Sequence, residues 1–189
     1  MSPDAVTASF DDAELGPFAG DRGALDRLFV ATYDELRRLA AVIRQGDPSA
    51  TLTPTALVHE AWLKLAGSLS IAPASRLHFK RIAARAMRQV LVEAARRRNA
   101  EKRGGDAAMV TFDENAGYPA TSADELLMLD AALEDLARVN ARQAVMVESR
   151  FFGGLDVAET AQLLQVSEAT VLRDWRAAKA WLSSELRGG

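Results

Sequence analysis

Between Asp156 and Leu182 the chain reads DVAETAQLLQVSEATVLRDWRAAKAWL, and the apolar residues Val171, Trp175, Ala178 and Leu182 recur at steps of four, three and four. That spacing puts one buried face on a helix. Asp156 and Glu159 stand at capping-box spacing upstream, Ala161 is small where two helices would cross, and Gln165-Val166-Ser167 supplies a short turn with Ser167 as the next N-cap. The pattern predicts a helix-turn-helix. Its other faces carry Glu168, Thr170, Arg173, Arg176 and Lys179, donors and acceptors suited to base edges and phosphates in a major groove. Spacing alone also fits a helical hairpin whose charges are merely solvated; the turn chemistry favours DNA.

Helical periodicity extends through most of the remaining chain. A first helix is expected from an Asp21 N-cap through Leu25, Leu28, Phe29, Leu36, Leu39 and Ile43, stopped by Gly46-Asp47-Pro48. Thr53 before Pro54 marks a second start, because threonine caps free amides and proline suits the first helical position; Leu57, Ala61 and Leu65 follow, and Gly67 ends it. A third helix begins near Ser75, with Phe79, Ile82, Ala83, Ala86, Val90 and Ala94 as its apolar stripe. Gly104-Gly105 ends that helix, and the stretch to Ser122 lacks periodicity. Ser122 and Glu125 have capping-box spacing, and helices follow over 123–137 and 141–152, broken by Gly153-Gly154. No strand alternation or solenoid repeat is present. The expected architecture is all-α: an acidic tail (1–19), a helical domain (20–103), an acidic linker (104–122) and a helix-turn-helix domain (123–187).

Charge is segregated along this framework. The net charge is −3, yet Arg76 to Arg103 holds ten Lys/Arg against Glu93 and Glu101. From Gly104 to Asp135 there are eight acids and no Lys or Arg, and residues 1–26 hold six acids against Arg22. Charge runs are often solvated faces. Here Arg85, Arg88, Arg96, Arg97 and Arg98 share a helix with an apolar stripe, so several must line one exposed ridge able to track a phosphate backbone. Two basic elements, one in the middle of the chain and one near its C-terminal end, point to a protein that grips DNA at two places.

Other chemistry is poorly supported. The chain has no cysteine, which excludes disulfides, thiolate metal sites and cysteine nucleophiles. His59 and His78 are the only histidines and make a poor metal site. No phosphate loop or nucleophile–base pairing stands out, so neither a catalytic residue nor a cofactor is expected. An acidic N-terminus replaces the basic start of a secretory signal, and no stretch approaches the ~20 apolar residues of a membrane span, so a cytoplasmic location is expected.

Taken together, the chain resembles the sigma-70 family of bacterial sigma factors, in particular the short extracytoplasmic-function (ECF) group that keeps only regions two and four. The resemblance covers about residues 20 to 186. TPTALVHEAWLKL looks like region 2.2, HFKRIAARAMRQVLVEAARRR like regions 2.3 and 2.4, and FFGGLDVAETAQLLQVSEATVLRDWRAAKAWL like region 4. The resemblance implies core RNA polymerase and promoter DNA as partners. Leu57, His59, Glu60 and Lys64 would meet the polymerase clamp helices. Arg85, Arg88, Gln89, Glu93, Arg96, Arg97 and Arg98 would serve the minus-ten element, with the loop Ser68 to Leu77 where a flipped base is read. Thr170, Arg173, Arg176 and Lys179 would read the minus-thirty-five element.

Some positions depart from the family pattern. Ala56 stands where many relatives carry an acid, His59 where they carry glutamine, and Asp174 where many have arginine. An anti-sigma protein or a kinase is a further candidate partner. The resemblance implies a linker that threads near the path of nascent RNA, where Asp106, Asp113 and Glu114 would imitate phosphates; a solvated tether fits the same residues equally well, and a further hypothesis folds the acidic tail or linker over the basic ridge in the free protein. Two other readings remain: a helix-turn-helix regulator that acts without polymerase, for which region 2.2 is unexplained, and a sigma-like protein that sequesters a partner.

Overall fold

A computed structural model describes residues 22–44, 52–67, 75–102 and 122–188. These form α1 (Arg22–Arg44), α2 (Pro54–Ala66), α3 (Arg76–Lys102), α4 (Ala123–Val139), α5 (Ala141–Gly153), α6 (Val157–Leu164) and α7 (Glu168–Gly188), with no strand among the described residues. The all-α expectation holds. The Asp21 cap, the Gly46-Asp47-Pro48 stop, the tail and the 104–121 stretch lie outside the described residues.

Local sequence explains most helix ends. Thr53 Oγ1 accepts from the Ala56 N–H at 3.1 Å, and Pro54 occupies the first helical turn, where its missing N–H costs nothing. Ser122 with Glu125 and Asp156 with Glu159 each form reciprocal capping boxes. Asn140 caps α5 through its side chain, accepting from the Gln143 N–H at 3.1 Å. Gly154 closes α5 at φ 65°, a left-handed conformation suited to a residue without Cβ.

The long basic helix is the spine of the molecule, with α1 and α2 on one flank and α4 and α5 on the other. Phe79, Ala83 and Met87 face α1 and α2, sharing a small apolar gap with Leu36, Val58 and Leu65. Burial extends beyond the expected stripe: Ala84, Leu91, Val92 and Ala95 are also buried, because the helix packs on two sides rather than one. Full burial of a side chain such as Phe79 contributes roughly 1.5–3 kcal/mol. At the second flank Gly153 lets α5 approach closely, since a Cβ there would lie 3.0 Å from Ala84 Cβ and 3.3 Å from the Lys80 carbonyl. Lys80 is almost completely buried, and its Nζ bridges Glu35 of α1 at 3.3 Å and Glu159 of α6 at 2.8 Å. A buried ammonium requires such partners.

Candidate nucleic-acid and partner interfaces

The turn between α6 and α7 is built from Gln165, left-handed at φ 53°, followed by Val166 and Ser167. Ser167 Oγ accepts from the Thr170 N–H at 3.2 Å and lies 2.9 Å from the Thr170 hydroxyl. Thr170 is thereby half-buried and tied to the cap. Val171, Ala178 and Leu182 face inward. Arg173 and Arg176 face solvent, and the Arg173 side chain is 72% exposed. Lys179 is half-buried and engaged within the protein. Leu172, 41% exposed, also stands on the outer face of this helix, a residue that periodicity did not single out.

Two inward contacts set the rotation of α7. Asp174 Oδ2 accepts from Arg142 Nη2 at 2.6 Å, and the Arg150 guanidinium lies 4.3 Å from the centre of the Trp175 ring. A cation over an indole face is attracted by the ring quadrupole. Both contacts are on the side of α7 that meets α5, leaving the arginine-bearing side to solvent.

On α2, His59 and Glu60 are exposed, while Leu57 is buried completely in the bundle interior. Any effect of Leu57 on a partner must therefore pass through the shape of the bundle. His59 meets Phe29 and Tyr33 edge-on, at 6.2 and 5.8 Å between ring centres, and Phe29 stacks on Trp62 at 4.4 Å. Leu63, one helical turn from His59, is 63% exposed, and Val30 beside Phe29 is 75% exposed. Lys64 donates to Glu93 Oε1 at 2.8 Å, so the structure pairs a residue expected at the polymerase face with one expected at the minus-ten element.

The basic helix α3 divides its arginines. Arg85, Gln89 and Arg97 are exposed, Arg98 is half-buried and engaged within the protein, and the Arg96 side chain is 65% exposed. Arg88 is held between helices, donating from Nε to Asp130 Oδ1 at 2.8 Å and from Nη1 to Glu148 Oε1 at 3.0 Å. Arg85, Arg88 and Gln89 line a cleft of about 330 Å³ with Asp130, Glu134 and Glu148 opposite. Near the start of α3, burial and the neighbouring Arg81 charge lower the pKa of His78. Residues 68–74 of the expected base-reading loop lie outside the described residues.

The family model for ECF sigma factors matches residues 18–188. The chain belongs to the ECF sigma factor family. No curated protein and no solved structure shows a significant match to it. In this ECF sigma factor no helix among the described residues is long and apolar enough to cross a membrane, and no His/Asp/Glu cluster among them could hold a metal ion.

Sequence reasoning overlooked the acids of this ECF sigma factor that face α3. Asp130 and Glu148 are buried or nearly so, although α4 and α5 were expected only to support the helix-turn-helix. A weak signal was available: Asp130 falls between Leu129 and Leu133 within the apolar stripe of α4, where a solvated acid has no place. Several arginines were expected on one exposed ridge, and Arg85, Arg96 and Arg97 are exposed; Arg88 is not among them, because a guanidinium drawn between helices needs carboxylate partners and α4 and α5 supply them.

Proposed function

We propose that this chain is an initiation factor that binds core RNA polymerase, recognises minus-ten and minus-thirty-five promoter elements and starts transcription in the cytoplasm. The observation that carries this reading is the presence of two outward surfaces on separate elements of one family member. Arg173 and Arg176 face solvent on α7, and His59 and Glu60 do so on α2 beside exposed Leu63. A regulator acting without polymerase needs only the first.

In this reading α7 enters the major groove, with Arg173 and Arg176 on base edges or phosphates and Thr170 and Lys179 at the margins. His59 and Glu60 meet the clamp helices, and Leu57 and Lys64 hold α2 in place, Lys64 through Glu93. Arg85, Arg88, Gln89, Arg96, Arg97 and Arg98 hold the opened minus-ten strand, whose unstacking costs a few kcal/mol per step. The tail, the two helical domains and the acidic linker keep the boundaries read from sequence.

Run-off transcription with purified core polymerase on pooled genomic fragments tests the proposal. New start sites that require the protein and are lost with Glu60→Arg support it. Sequence-specific DNA binding without transcripts establishes the polymerase-independent regulator instead.

A further inference from the structure

We propose that Asp130 of α4 and Glu148 of α5 act as an internal substitute for DNA phosphates, latching the helix-turn-helix half over the minus-ten face of α3 in the free protein. The inference rests on the promoter-binding role proposed for Arg88 and Arg96.

Every nitrogen of the Arg88 guanidinium is engaged in this closed arrangement. Nε donates to Asp130 Oδ1 at 2.8 Å, Nη1 to Glu148 Oε1 at 3.0 Å, and Nη2 to the Asp130 carbonyl at 3.0 Å while lying 2.7 Å from Asp130 Oδ1. The planar fork that would clasp a phosphate is already clasping carboxylates. The same Asp130 carboxylate also takes Arg96 Nη2 at 3.3 Å, and one turn further along α3 Asn99 donates to Asp124 of α4 at 2.5 Å. Carboxylates from α4 and α5 thus follow α3 as phosphates along a strand would.

Packing supports the charges. Gly153 sits against Ala84, and Lys80 reaches Glu159. Arg88 cannot hold Asp130, Glu148 and a DNA strand together, so closure and minus-ten binding exclude each other. Arg173 and Arg176 remain exposed. The closed protein therefore keeps its duplex-reading helix available while its minus-ten surface is withheld.

Two sets of variants test the latch. In Asp130→Asn/Glu148→Gln the substitute charges are gone, and polymerase-free affinity for a random-sequence single-stranded DNA should rise at least fivefold, with a larger radius of gyration in solution. Asp135→Asn/Glu185→Gln removes the same charge elsewhere and should change affinity less than twofold. Equal gains in the two pairs, or no gain in the first, overturn the latch. The absence of cysteine allows a reversible lock, Ala84→Cys/Gly153→Cys. The Cβ positions are 3.0 Å apart, so the two helices must part by about half an ångström or slightly more to reach the ~3.5–4.5 Å of a disulfide.

The oxidised lock should lose at least tenfold in run-off transcription and regain it on reduction; equal transcription in both states also overturns the latch. Failure of the wild-type protein to transcribe at all would instead refute the polymerase role. The single-strand comparison, which needs no polymerase, still decides the latch in that case.

Discussion

Asp174 Oδ2 accepts a hydrogen bond from Arg142 Nη2 at 2.6 Å, with the Asp174 side chain 10% exposed and that of Arg142 46% exposed. The acid in the middle of the helix proposed to read DNA thus faces α5 rather than a groove. Its difference from the arginine common in relatives is compatible with DNA binding because the side chain fastens α7 to the bundle. Asp174→Ala should lower stability by about 0.5–1.5 kcal/mol, the net worth of one hydrogen bond, because the half-exposed Arg142 turns to solvent once its partner is gone. Urea unfolding of the full chain measures it; an unchanged midpoint would show that solvent replaces the contact.

Gln165 holds a left-handed conformation at φ 53° in the turn between α6 and α7. A side chain with a Cβ is strained there, whereas glycine is not. Gln165→Gly should be neutral or stabilising by up to about 1 kcal/mol, and Gln165→Val clearly destabilising. Thermal unfolding of the two variants should separate them in that order.

Arg176 is exposed on the outer face of α7. Arg176→Ala should weaken binding to promoter duplex with little change in melting temperature. If the contact is to phosphate, the slope of log affinity against log salt should fall by about one; if to a base edge, discrimination should relax by about 1–3 kcal/mol at one position. Fluorescence anisotropy at several salt concentrations distinguishes the two.

The His78 pKa is lowered, first by burial and second by the Arg81 charge. The unfolded chain therefore binds this proton more readily than the folded one, and stability must decline as pH falls below the ordinary histidine value of about 6.5. Melting temperatures between pH 7.5 and 5.5 should decrease, and His78→Gln should flatten that part of the curve. A wild-type profile flat over this interval would contradict the assignment.

The helices and their ends were largely legible in the sequence because each rests on local chemistry. Threonine before proline at 53 and 54, the capping boxes at Ser122 and Asp156, and the spacing of Val171, Ala178 and Leu182 act within a few residues of themselves, and the structure places each as expected. Segregation of charge was likewise fixed by position along the chain. Periodicity could not assign partners to the second side of α3, because Ala84, Leu91 and Ala95 are small or aliphatic residues that read equally well as surface between arginines. Only tertiary packing decided that Arg88 is claimed by Asp130 and Glu148, and that Lys64 meets Glu93. Those contacts join residues 29 to 60 positions apart, and their pairing depends on how helices cross, which no local preference encodes.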